Sequence, residues 1–172
     1  MEISEMTSNE RMPSSVQGFD WYAAIWAGLV SGLIMLLTGI VLPWLFLGDP
    51  LLIVRLMASI MLGPEVIPAQ AGIVPGIYVV ALVTHFSLSL LFAFLIALIF
   101  HRWGIVVALL GGAIVGVVIY IMNFYSFSLI FPWLFPYLNW MLLVAHIFFG
   151  ALAGALFELF EDERFVDQPL LG

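Results

Sequence analysis

Two histidines lie deep within apolar sequence: His85, followed by Phe-Ser-Leu-Ser89, and His146, followed by Ile-Phe-Phe-Gly150. An imidazole inside a bilayer is expensive to place, and is a functional candidate for that reason. Two imidazoles facing each other could be the axial ligands of a b-type haem, or two ligands of a metal ion. A metal cage is poorly supplied, because the chain has no Cys and no carboxylate near these histidines. The plainer chemistry is a neutral imidazole bonded to a neighbouring helix. Thr84, Ser87, Ser89, Tyr120 and Asn123 are the candidate partners, at about 0.6–2 kcal/mol per bond.

Other ionisable residues sit at the edges of the apolar runs. His101 and Arg102 form a short loop and read as solvated. Arg55 is a lone cation in an apolar stretch. It can snorkel to lipid headgroups, pair with Asp49 or Glu65 in its own loop, or meet a partner subunit. Arg55, Trp133 and Tyr137 are accordingly the expected partner or lipid contacts. Glu158 lies four-residue steps beyond His146, Gly150 and Gly154, and reads as an interfacial residue leading into Glu161-Asp162-Glu163-Arg164.

The elements that position these groups follow from hydropathy. Four runs reach the roughly 20 apolar residues that span a bilayer: 21–46, 77–100, 104–123 and 138–160. Trp21, Tyr22, Trp44, Tyr78, Trp103, Tyr137 and Trp140 mark their ends as an aromatic belt. The fold expected is all-α: four transmembrane helices in a compact bundle. A polar tail (1–20) precedes them and an acidic tail (161–172) follows. The run 51–62 is too short to span and reads as an interfacial or re-entrant helix, begun after Gly48-Asp49-Pro50 and ended at Gly63-Pro64. The segment 63–76 holds three prolines and should be irregular. The uncharged, aromatic segment 124–136 should lie at the membrane surface or against a partner. His85 and His146 both lie eight residues into their runs, about 12 Å from the same side.

Helices in lipid approach closely where residues are small. The first helix offers Gly28 and Gly32, the third Gly112 and Gly116, and the fourth Gly150 and Gly154. The second offers Ser89, Ala93 and Ala97 at the same step. A faint repeat emerges, since each histidine precedes a small stripe by four residues and a GxxxG helix precedes each histidine helix. The two halves would be parallel repeats.

Composition bounds the function. Hydrophobic residues make up 65% of the 172 and charged residues 9%. There is no Lys and there are four Arg, so no basic surface for nucleic acid exists. No P-loop, GxSxG or HExxH motif occurs. The polar start does not read as a signal peptide. Arg11, Arg102 and Arg164 fall on one side and Arg55 on the other, which places both termini in the cytoplasm.

Trp26-Ala-Gly-Leu-Val-Ser-Gly32, His85-Phe86 and His146-x3-Gly150 make the chain resemble small, uncharacterised four-helix bacterial integral membrane proteins. That resemblance implies the four-helix topology and little about activity. The function expected is an accessory, non-catalytic structural subunit of a larger membrane complex in the bacterial cytoplasmic membrane. Its partners would be other membrane subunits and lipids, with no cofactor, and its first expected host is a respiratory or photosynthetic electron-transport assembly. The alternatives are a haem b carrier using His85 and His146, and a small oligomeric transporter or channel.

Overall fold

The computed structural model describes residues 19–68 and 74–163. Five α-helices run through it: α1 (Trp21–Leu47), α2 (Leu52–Leu62), α3 (Pro75–Phe100), α4 (Ile105–Ile121) and α5 (Trp140–Glu163). Four apolar helical stretches, of 27, 26, 25 and 22 residues, are long enough to cross a membrane. The molecule is an all-α membrane bundle. The expected tails lie outside the described residues except for Phe19, Asp20 and the last turn of α5. Arg11 and Arg164, on which the orientation argument leans, also lie outside them.

Local chemistry sets where each helix begins and ends. Asp20 caps α1, its carboxylate accepting the N–H of Tyr22 at 2.9 Å and of Ala23 at 3.0 Å. Gly48 ends α1 at φ 72°, a left-handed conformation open to glycine. Pro43 sits inside α1, tolerated where neighbouring structure supports the backbone. Pro75 opens α3, where its missing N–H costs nothing. Asn139 caps α5 by accepting the N–H of Leu142 at 3.0 Å. Between α3 and α4 the chain reverses in four residues, 101–104, with Arg102 at φ 69° and Gly104 at φ 82°.

α1 and α4 leave the end that holds Asp20, and α3 and α5 return to it. α5 is the central helix, packed on α4, α1 and α3. The small stripes make these interfaces. A Cβ on Gly112 would overlap the carbonyl oxygen of Gly150, one on Gly116 that of His146, and one on Gly154 that of Ala108. The backbones of α4 and α5 therefore touch. Between α1 and α3 the approach is looser: a Cβ on Gly28 would lie 3.0 Å from Ala93 Cβ, and one on Gly32 2.7 Å from Ser89 Oγ. Gly32, the second glycine of its motif, meets Ser89, and Gly150, the equivalent position on α5, lies against both Gly112 and Gly116.

α2, too short to span, packs inward on the other helices. It buries Ile53, Val54, Arg55, Leu56, Ala58 and Ser59 between α1, α3 and the α4–α5 linker. Gly39 of α1 admits it, with Ile53 lying 3.3 Å from where a Cβ would stand. The linker departs from expectation. Phe124 and Leu134 turn inward onto α2, and the Trp133 indole donates to Ser59 Oγ at 3.2 Å. Leu129 and Ile130 remain on its exposed side. An uncharged loop of this composition covers its own chain first, because that buries aromatic area at once. Within 63–76, a short 3-10 turn spans Pro64–Val66, and residues 69–73 lie outside the described set.

Candidate functional site

His146 sits two turns into α5, in a setting built by α4. Its Nδ1 lies 2.7 Å from the Leu142 carbonyl oxygen. A carbonyl only accepts, so Nδ1 carries the proton and Nε2 is left as the acceptor. The Asn123 amide nitrogen donates to Nε2 at 3.2 Å. Asn123 reaches it because α4 loosens there into a wide π-type turn, Met122–Ser126. Such turns re-aim side chains and recur at functional sites. Tyr120 packs its ring against His146, with centroids 5.6 Å apart, and its hydroxyl donates to the Asn139 carbonyl at 3.1 Å. That bond ties the end of α4 to the cap of α5. The donor role leaves Asn123 Oδ1 buried with no partner among the described residues.

His85 takes a partner outside the expected set. Its Nε2–H donates to the Gly32 carbonyl oxygen at 2.8 Å, across 53 residues of sequence. The bond exists because Gly32, lacking a side chain, lets α3 approach α1 closely enough to expose that carbonyl. Of the five candidate partners, only Asn123 bonds a histidine.

The structure brings both histidines to one internal cavity of about 60 Å³. Its lining is apolar apart from His85, Ser89, Asn123 and His146, and Ile53 and Leu56 of α2 close it. A haem between the rings needs a cleft for the macrocycle and a free nitrogen on each imidazole. His146 has both nitrogens bonded, and the cavity is of the size of a few waters. As arranged, the pair does not fit a haem. Among the described residues no cluster of three or more His, Asp or Glu could hold a metal ion. An ordered water donating to Asn123 Oδ1 is expected here, since a buried acceptor with polar space beside it recruits one. A density map fine enough to show waters checks this. An empty cavity beside Asn123 would contradict it.

Arg55, Trp133 and Tyr137 also converge, lining a second pocket at the far end from Asp20. Arg55 is buried. It pairs with Asp49, and its Nε–H donates to the Ile67 carbonyl at 2.7 Å. The within-loop partner is thus Asp49 rather than Glu65.

The Asp20 end corrects two expectations. His101 is no solvated loop residue: its Nδ1 lies 2.8 Å from the Glu161 carboxylate, and its ring packs against Phe19 and Phe157. Glu158 is buried, and its carboxylate accepts the N–H of Trp103 at 3.3 Å and of Gly104 at 3.2 Å. A signal for this was present in the sequence. A helix opening at Gly104 directly after a tight turn has exposed N–H groups and no capping side chain, so an acceptor must come from elsewhere.

Family models, curated proteins and solved structures were compared with the chain, and none matches.

Proposed function

We propose that the chain is an accessory, non-catalytic structural subunit of a larger complex in the bacterial cytoplasmic membrane. The observation that supports this is the use of its polar groups. His85, His146, Tyr120 and Glu158 each bond within the chain, and those bonds tie one helix to another or to its flanking turn. Little remains to bind or transform a substrate. The outward surface is apolar, with Val106, Leu110, Ile114 and Val118 forming an exposed ridge along α4 at four-residue steps. A membrane partner or lipid covers such a ridge. The host is an electron-transport assembly, respiratory or photosynthetic, the class in which small all-membrane chains surround larger redox subunits. The Asp20 end faces the cytoplasm, from the distribution of Arg.

The purified chain in detergent is expected to be helical, colourless and inactive. Proteoliposomes holding it should show no solute flux above protein-free vesicles. A Soret band lost on His146→Ala would replace this reading with a haem carrier. Flux by the chain alone would replace it with a transporter or channel.

A further inference from the structure

The pocket at the Arg55 end has a volume of about 590 Å³ and is lined in part by Asp49, Leu52, Arg55, Ile67, Trp133 and Tyr137. Its charged groups are held in place. Arg55 is 7% exposed and is fixed by Asp49 and by the Ile67 carbonyl. Asp49 keeps a side-chain exposure of 31%, and its Oδ1 accepts the Leu51 N–H at 3.2 Å. The Trp133 ring is anchored through Ser59. A guanidinium has five N–H donors. Two are engaged among the described residues, and the 8% of the side chain that stays exposed presents the unengaged edge to the pocket. The pocket lies at the end of the bundle where α1 ends and α5 begins, the end that also carries exposed Trp44, Phe46 and Trp140. Aromatic rings at this level sit among lipid headgroups.

We propose that this pocket binds the headgroup of a zwitterionic, amine-bearing phospholipid. The remaining Arg55 donors take the phosphodiester, as guanidinium does in bidentate fashion. The ammonium lies between the Asp49 carboxylate and the faces of Trp133 and Tyr137, which attract cations. Charge selects the lipid. Arg55 and Asp49 sum to zero, matching a headgroup that carries both signs. An anionic headgroup would set its net charge against Asp49. The proposal stands apart from the subunit reading above.

The test is native mass spectrometry of the purified full chain, titrated with phosphatidylethanolamine or phosphatidylglycerol. The expected result is preferential retention of phosphatidylethanolamine. Arg55→Gln should weaken that retention roughly tenfold, the effect of one charge-assisted hydrogen bond. Asp49→Asn leaves the site net positive and should reverse the preference toward phosphatidylglycerol. A structural role for Asp49 would not produce that reversal, so it decides the matter even where circular dichroism shows Arg55→Gln misfolded. Equal retention of both lipids by the unmodified chain, or an unchanged preference in Asp49→Asn, overturns the proposal. Soluble glycerophosphoethanolamine is the control for source. If it displaces the lipid at equal concentration, the pocket serves a free phosphoester and the lipid assignment falls. If it does not, the assignment holds.

Discussion

Gly112→Ala is expected to destabilise the bundle by about 3 kcal/mol, the upper range for forced overpacking, and Gly112→Leu to prevent α4 and α5 from docking at all. The cause is backbone against backbone. The added Cβ would overlap the Gly150 carbonyl oxygen, and no side-chain rotation relieves a clash with a main-chain atom. The two helices would have to separate along their whole length, losing the Gly116–His146 and Gly154–Ala108 contacts together. Two comparisons make the expectation specific. Gly28→Ala meets Ala93 Cβ at 3.0 Å, Leu90 Cδ2 at 3.2 Å and Leu90 Cα at 3.3 Å, contacts milder than the overlap with a carbonyl oxygen at Gly112, and should cost about 1 kcal/mol. Gly76→Ala meets nothing within 4 Å and should change stability by less than about 0.5 kcal/mol. Unfolding in mixed micelles with rising dodecyl sulfate measures all three. Equal effects at Gly112 and Gly76 would remove the close-packed α4–α5 interface from the account.

The second large effect lies at Glu158. Glu158→Leu is expected to cost about 2–3 kcal/mol, and Glu158→Gln clearly less. Trp103 N–H shares the Phe100 carbonyl at 3.0 Å and keeps a partner when the carboxylate is lost. Gly104 N–H has the Glu158 carboxylate as its partner and would be left unpaired at the start of α4. Glutamine retains one acceptor oxygen and so keeps part of the bond, but not the negative charge that suits a helix N-terminus. The same micelle unfolding measurement applies, with Leu and Gln compared side by side. A Gln variant as damaged as the Leu variant would show that charge, rather than the hydrogen bond, dominates here. A harmless Leu variant would show that Glu158 does not cap α4.

What the sequence disclosed divides along physical lines. The spans were legible because a bilayer demands length, and the observed helices differ from the expected runs by a few residues. Pro75 starts α3 ahead of Ile77, as proline suits a first turn. α5 continues past Phe160, where Glu161 turns inward to His101. Helix faces were harder to read, because a helix apolar on every side does not tell lipid from neighbour. The glycine stripes supplied what hydropathy could not, since close backbone approach needs small residues whatever surrounds them.

Partners made by main-chain carbonyls were not legible. His85 bonds a carbonyl, and every residue has one, so no search among side chains could have found Gly32. The convergence of Arg55, Trp133 and Tyr137 depends on α2 folding back against the linker, a contact between segments some 80 residues apart.

Extraction of native membranes in a mild detergent tests the central claim most directly. The band holding this chain would be resolved on a native gel, its absorption spectrum recorded and its components identified by mass spectrometry. The subunit account expects the chain to travel with larger redox subunits, and the chain separated from them to be colourless. A chain that migrates alone and carries a Soret band of its own would contradict it, and would make His85 and His146 ligands after all.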